Sequence, residues 1–168
     1  MQHFLKHEAN STMWLKVKAS VGYFVARHLF KYTWAVKQPK LWQWMQMQFA
    51  RQSQLGHPAA TAFYGHLLLF KGQGLGAKEE GLRLLKIAAE AGDAKAAYQV
   101  AQNAAQGTVQ NAPDLNTAVY WWKIAAKAGH YLAAKKLADI YATGQGDIAA
   151  DQDACLFYQQ LMQQLIDA

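Results

Sequence analysis

A repeated segment constrains this 168-residue chain more than any other feature of its sequence. The run Lys86-Ile-Ala-Ala-Glu-Ala-Gly92 returns 37 positions later as Lys123-Ile-Ala-Ala-Lys-Ala-Gly129, and a fainter copy ends at Gly56. Self-similarity with a period of roughly 20–50 residues is the signature of stacked repeats, in which each unit buries its apolar face only against a neighbour. The sequence therefore predicts a repeat array.

Each period is predicted to contain two α-helices. Small and apolar residues recur at steps of three and four along both halves of the period, which is the spacing of a helix face. The first helix is expected to end at Gly107 in one period and at Gly144 in the next. Asp114 and Asp151 follow, where a side-chain oxygen can accept hydrogen bonds from the free amides that open the second helix.

The residues that recur in phase form a recognisable pattern. Its first half is carried by Ala133, Leu137, Tyr141, Gly144 and Gly146, and its second half by Asp114, Ala118, Trp121, Trp122, Ala125, Ala126 and Gly129. This pattern resembles the Sel1-like repeat, a relative of the tetratricopeptide repeat. The first period departs from it, with Gly81 where the family has alanine and Leu69 where it has tyrosine. The resemblance implies an all-α, right-handed α-solenoid of antiparallel helix pairs that acts as a non-enzymatic adaptor or scaffold.

The repeats divide the chain into two regions. We expect an N-terminal helical cap at residues 1–57, which includes an orphan repeat-like second helix at about 39–56. The array is expected to follow at residues 58–168, with about three repeats at 58–93, 94–130 and 131–168. A cap is needed because the first repeat of a stacked array would otherwise expose its core.

Residues 12–36 are predicted to form one amphipathic helix. One face collects Val17, Val21, Phe24 and Val25, and we expect this face to pack against the array. The opposite side interleaves basic and aromatic residues. It suits either a docking surface for a partner or a set of rings covered by the helix that begins near Pro39. The residues of this side are Tyr23, Arg27, Phe30, Lys31 and Trp34.

The formal net charge of +6 lies in the first 50 residues, while the rest of the chain is neutral and has no recognisable nucleic-acid motif. A nucleic-acid partner is therefore not expected. A basic amphipathic helix can lie on an anionic membrane, so a peripheral membrane-associated regulator is the alternative function. Charged residues divide the N-terminal apolar stretch, so neither a signal peptide nor a transmembrane helix is predicted, and a cytoplasmic location is expected.

No catalytic, metal or cofactor site is predicted. His3 and His7 lack an evident third ligand, Cys155 is the only cysteine, and the glycine pairs lack the Lys-Ser/Thr of a phosphate-binding loop. An unrecognised enzyme is the less favoured alternative. Stacked first helices are expected to line a concave surface that binds a protein or peptide, and self-association stays open. The residues placed there by helical phase are His66, Tyr98, Gln102, Asn103, Lys135 and Asp139.

Overall fold

The computed structural model describes residues 17–108 and 111–168, and most of these residues are helical. They form two compact units, and the division between the first and the second lies between Tyr64 and Gly65. The predicted all-α fold is confirmed. Among the described residues the helices are α1 at 17–29, α2 at Thr33–Lys37, α3 at Pro39–Gln54, α4 at Pro58–Lys71, α5 at Gly74–Glu90, α6 at Ala94–Gln106, α7 at Leu115–Lys127, α8 at Tyr131–Thr143 and α9 at Gln152–Asp167.

The prediction of one helix across residues 12–36 is wrong. α1 ends at residue 29, a turn follows, and the short α2 begins at Thr33, while residues 12–16 lie outside the described part of the chain. The amides of Lys31 and Tyr32 bond to carbonyls only three residues back, which tightens the last turn and ends the α-helix. At this turn the Phe30 ring packs edge-on against the ring of Phe63, with ring centres 5.4 Å apart.

In the first unit, α1 packs on α3 through its small residues. Ala19 and Ala26 are fully buried, and the Tyr23 ring lies between them with an edge-on contact to Phe49. Phe49 in turn meets Phe63 of α4 at 4.8 Å between ring centres. These aromatic contacts form the centre of the unit.

The face of α1 that was predicted to be buried is exposed. Phe24 is 68% exposed, and Val17, Val21 and Val25 are each exposed by 44% or more. Because alanines let helix backbones approach more closely than valines do, the Ala19 side of α1 turns towards α3 and the valine side is left outside.

In the second unit, successive helices from α5 to α9 pack each on the next. Alanines line the contacts between them, as in α6, where Ala96, Ala97 and Ala101 are all fully buried. The two adjacent tryptophans of α7, Trp121 and Trp122, are also buried, and α7 packs on α6. Helix pairs related by the repeat therefore stack through one layer of small and large apolar side chains, as in an α-solenoid.

The same turn closes α5 and α7. The Gly92 amide bonds to the Ala89 carbonyl and the Asp93 amide to the Ala88 carbonyl, both at 3.0 Å. Gly129 and His130 make the equivalent pair of bonds, and Gly92 and Gly129 share a φ near +95°, at 95° and 94°. This is the Schellman motif, in which a left-handed glycine lets the chain satisfy the last free carbonyls of a helix.

Aspartate side chains begin the following helices, as predicted for Asp114 and Asp151. Asp114 Oδ1 accepts a hydrogen bond from the Thr117 amide at 2.9 Å, and Asp151 Oδ1 accepts one from the Ala154 amide at 3.0 Å. Asp93 caps α6 in the same way, through the Ala96 amide at 2.8 Å. These caps fix where α6, α7 and α9 start.

Candidate interaction surface

Five rings line the first helices of the second unit. On α4, His66 and Phe70 are stacked, with ring centres 6.2 Å apart and planes within 7°. Tyr98 of α6 stacks on His130 at the start of α8, at 4.3 Å and 9°. The ring of Tyr131 follows that of His130 at 6.4 Å and 9°. We refer to these five residues, His66, Phe70, Tyr98, His130 and Tyr131, as the ring strip.

The stack between Tyr98 and His130 joins two neighbouring repeats. His130 follows a helix-ending glycine, the place that Asp93 occupies one period earlier, but its side chain does not cap α8. Instead its ring lies flat against Tyr98, and its Nδ1 atom is buried without a hydrogen-bond partner among the described residues. The repeat position that serves as a helix cap in one period therefore supplies a ring in the next.

Lys95 lies close enough to both imidazoles to influence their charge. Burial lowers the pKa of His66 below its ordinary value; nearby Asp93 opposes this effect and Lys95 adds to it. Burial also lowers the pKa of His130, and Lys95 again adds to the shift. Both imidazoles are therefore uncharged at neutral pH. The ring strip is then apolar on its ring faces and carries neutral nitrogen atoms that can form hydrogen bonds.

The structure places three more predicted residues beside the ring strip. Gln102 is half-buried one helical turn after Tyr98. Lys135 and Asp139 are exposed one and two turns after Tyr131 on α8. These polar side chains continue the same helix faces, because positions four apart lie above one another on a helix.

Asn103 does not belong to this surface. It lines a separate cavity of about 250 Å³, together with Leu69 and Leu82 and with Thr108 and Asn111 of the loop after α6. A step of one residue turns a helix position by about 100°, which carries Asn103 away from the side of Gln102. The predicted first-helix residues therefore divide between two places.

The sequence prediction missed Phe70, Lys95, His130 and Tyr131. One signal was available for His130, which follows Gly129 in the turn that repeats along the chain. Its stacking on Tyr98 depends on how closely α6 and α8 approach each other, and the periodicity of the sequence does not contain that distance.

The predicted N-terminal docking residues do not form one exposed surface. Tyr23 is only 4% exposed, and Phe30 is half-buried against Phe63 and other rings, so both belong to the centre of the first unit. Arg27 is exposed but donates a hydrogen bond to the Tyr23 hydroxyl at 2.7 Å. Lys31 and Trp34 are exposed, with Trp34 at 58%. The alternative of rings covered by neighbouring helices describes Tyr23 and Phe30.

The described residues form neither a metal-binding cluster nor a membrane-spanning helix. No group of three or more His, Cys, Asp or Glu side chains among them is placed to hold a metal ion. None of the described helices is both long and apolar enough to cross a membrane. Cys155 is buried, and its Sγ accepts a hydrogen bond from the side-chain Nε2 of Gln159 at 3.4 Å.

Solved structures with a similar fold include several repeat proteins. A Sel1 repeat protein from Oxalobacter formigenes matches 89% of this chain and 58% of its own, with 25% identity and a TM-score of 0.65. An immunity protein from Pseudomonas aeruginosa matches 79% of this chain and 50% of its own, with 23% identity and a TM-score of 0.58. A protective antigen of uropathogenic Escherichia coli strains, which displays an SLR fold, matches 71% of this chain and 26% of its own, with 16% identity and a TM-score of 0.61.

The similarity is therefore structural, and it is partial in length. No family model matches the sequence, and no curated protein matches it. The chain spans 58% and 50% of the first two solved structures. The repeat turns, the aspartate caps and these structural neighbours agree with the resemblance seen in the sequence. The predicted resemblance is confirmed: the chain has the all-α solenoid fold of Sel1-like repeat proteins.

Proposed function

We propose that this protein is a non-enzymatic scaffold that binds a protein or peptide partner through the ring strip and the polar residues beside it. The observation that supports this most is the stack of Tyr98 on His130, which joins two repeats at 4.3 Å. A partner that lies across α4, α6 and α8 would contact rings from successive repeats, which is how solenoids bind extended ligands.

The ring strip has the properties of a binding surface that is organised before the partner arrives. Each of its rings stacks on a neighbour, so little side-chain freedom remains to be lost on binding. Aromatic side chains also dominate the energetics of protein interfaces, with the strongest positions near the centre and polar residues at the rim. Here Lys95, Lys135 and Asp139 would form that rim, and their charges would favour one orientation of the partner.

The fold adds a second line of support. Proteins built from Sel1-like repeats typically act as non-enzymatic scaffolds, and the first structural neighbour is a Sel1 repeat protein. Among the residues that the structure describes, Asp93 is the acidic group that acts on these imidazoles, and its side chain already caps α6. A triad-like arrangement, in which a carboxylate orients a histidine beside a nucleophile, is not formed by these residues.

The test compares two tyrosines of the same protein. Tyr98→Ala removes the central ring of the strip, whereas Tyr120→Ala removes a tyrosine that is 59% exposed on the second helix α7. Partners are captured by cross-linking from native lysate and identified with both variants and with the unchanged protein. Binding of a captured partner is then measured with purified components by calorimetry.

Tyr98→Ala should lower the affinity for the partner at least about 30-fold, which corresponds to a loss of about 2 kcal/mol or more in binding free energy, as at an interface hot spot. Tyr120→Ala should leave affinity unchanged. Tyr98→Phe keeps the ring and should bind nearly as well as the unchanged protein, which separates the role of the ring from that of the hydroxyl. Equal affinities for the Tyr98→Ala and Tyr120→Ala proteins would show that the ring strip is not the binding surface.

A further inference from the structure

α1 carries a second apolar face that the first unit leaves uncovered. Val17, Val21, Phe24 and Val25 are all exposed, and at 100° per residue they lie within an arc of roughly 100° on one side of the helix. The face continues past the end of α1. His28 lies at the centre of the arc, and the ring of Tyr32, itself 45% exposed, is 5.5 Å from the His28 ring. We call Val17, Val21, Phe24, Val25 and Tyr32 the exposed α1 face.

Basic residues border this face on both sides. On the same projection Lys18 lies next to Val25, and Arg27 lies on the other side beyond Phe24; both are exposed. Long basic side chains at the edge of an apolar helix face can keep their charges in water while their methylene stems lie along the apolar surface. This arrangement is typical of helices that lie in the plane of a membrane interface.

The charge around the face has a single sign. Residues 17–64 contain Lys18, Arg27, Lys31, Lys37, Lys40 and Arg51, and no aspartate or glutamate. A second copy of the chain that docked through the same face would therefore bring two such acid-free stretches together, with like charges facing each other. A surface that is rich in negative charge would complement the positive charge around this face.

We propose that the exposed α1 face docks the protein on an anionic membrane surface. Phe24 and the three valines would enter the boundary between headgroups and acyl chains, and Lys18 and Arg27 would stay at the level of the lipid phosphates. Lipid is favoured over an acidic protein because the face is the outer side of a single helix. A bilayer accepts such a ridge without a matching groove, whereas a protein partner must supply one.

This proposal does not depend on the scaffold function. The exposed α1 face lies in the first unit, and the ring strip lies entirely in the second. Membrane docking is tested at Phe24 in the first unit, and partner binding is tested at Tyr98 in the second. The failure of one proposal can therefore be distinguished from the failure of the other.

The experiment measures sedimentation of the full chain with phospholipid vesicles. Vesicles that contain phosphatidylglycerol are compared with vesicles of phosphatidylcholine alone, at low and at high salt. Phe24→Ser tests the apolar contact, and its control is Phe157→Ser on α9, where the phenylalanine is also exposed, by 58%. Lys18→Gln tests the charge, and its control is Lys136→Gln at an exposed position of α8.

The unchanged protein should sediment with phosphatidylglycerol vesicles only, and salt should release it. Phe24→Ser should weaken vesicle binding at least about tenfold, because Phe24 supplies the largest apolar side chain of the face. Lys18→Gln should weaken it about fivefold. The two control variants should bind like the unchanged protein. Circular dichroism will verify that the Phe24 variant, altered at an exposed position, keeps its helix content.

Two results would overturn the proposal. One is vesicle binding that is the same for the Phe24 variant and its Phe157 control, or the same for both lipids. The other is an absence of binding to phosphatidylglycerol vesicles, whether or not the protein self-associates in a way that depends on concentration and disappears in the Phe24 variant. Self-association of that kind would assign the exposed α1 face to another copy of the chain.

Discussion

The contact between α4 and α5 at Gly81 predicts that an alanine, the residue typical of the repeat at this position, destabilises this protein. A Cβ atom at Gly81 would lie 2.6 Å from the backbone nitrogen of Leu69 and 2.9 Å from the carbonyl oxygen of Gly65. Non-bonded heavy atoms prefer a separation of about 3.5 Å or more. Because both neighbours are backbone atoms, the two helices would have to move apart by roughly 1 Å to admit the methyl group.

Two opposing effects set the size of the change. Replacing glycine by alanine inside a helix normally raises the free energy of unfolding by about 1 kcal/mol. Overpacking of a tight contact costs about 1–3 kcal/mol, and we expect the upper value here because no flexible side chain can move aside. The free energy of unfolding of Gly81→Ala should therefore fall by about 2 kcal/mol. For a chain of this size the midpoint of thermal unfolding would drop by about 4–8 °C.

The matched control is Gly76→Ala, on the same helix α5. A Cβ atom at Gly76 meets nothing within 4 Å, so this variant should gain stability, by up to about 1 kcal/mol. Both variants are measured by urea unfolding followed by circular dichroism. If Gly81→Ala proves as stable as Gly76→Ala, the reasoning from the close approach of α4 and α5 is refuted.

Two further predictions concern a helix cap and a buried imidazole. Asp93→Ala should lower the free energy of unfolding, measured in urea titrations, by about 1 kcal/mol. Asp93→Asn should be nearly as stable as the unchanged protein, since the side-chain oxygen of asparagine can still accept a hydrogen bond from the backbone N–H of Ala96. Burial lowers the pKa of His66 in the folded protein below the ordinary value of 6.5. The contribution of the uncharged His66 to the free energy of unfolding is therefore complete above pH 6.5, and it is lost as the pH falls through the pKa of the folded protein. His66→Gln should reduce this acid-side loss of stability; an unchanged pH dependence would contradict the assignment.

The repeat array could be predicted from sequence because several independent signals share one period. Gly92 and Gly129 mark the turns, Asp114 and Asp151 mark the helix starts, and all four do so in the structure. Each signal rests on a local property, either a backbone conformation or a side-chain hydrogen bond, that neighbouring residues determine. Local properties of this kind do not depend on contacts with distant parts of the chain.

The N-terminal unit could not be predicted to the same extent, because α1 is apolar on two sides. Helical periodicity identifies apolar faces but does not decide which of them is buried. The side with Ala19 and Ala26 is buried because its small residues let α1 approach α3 closely, and Phe24 on the other side is exposed. The break after residue 29 carries no glycine or proline, the usual markers of a helix end, so the sequence predicted an unbroken helix.

The candidate binding surface was predicted in part for the same reason. Tyr98 follows from helical phase, and Gln102 lies on the same side of α6. The stacking of His130 on Tyr98 could not be predicted, because it depends on the distance between two repeats and a local sequence pattern does not give that distance. Asn103 lines a separate cavity because a single step along a helix turns the position by about 100°.

The turn after each second helix has a consequence for how such repeats diverge. His57, Asp93 and His130 stand at the same place, and the amide of each bonds to the carbonyl five residues earlier, at 3.4, 3.0 and 2.9 Å. The main chain alone holds the turn, so the side chain there is free to differ: Asp93 caps a helix, while His130 stacks on a ring. After duplication of a repeat, mutation at this place can give each copy a new surface chemistry while every copy keeps the ancestral backbone.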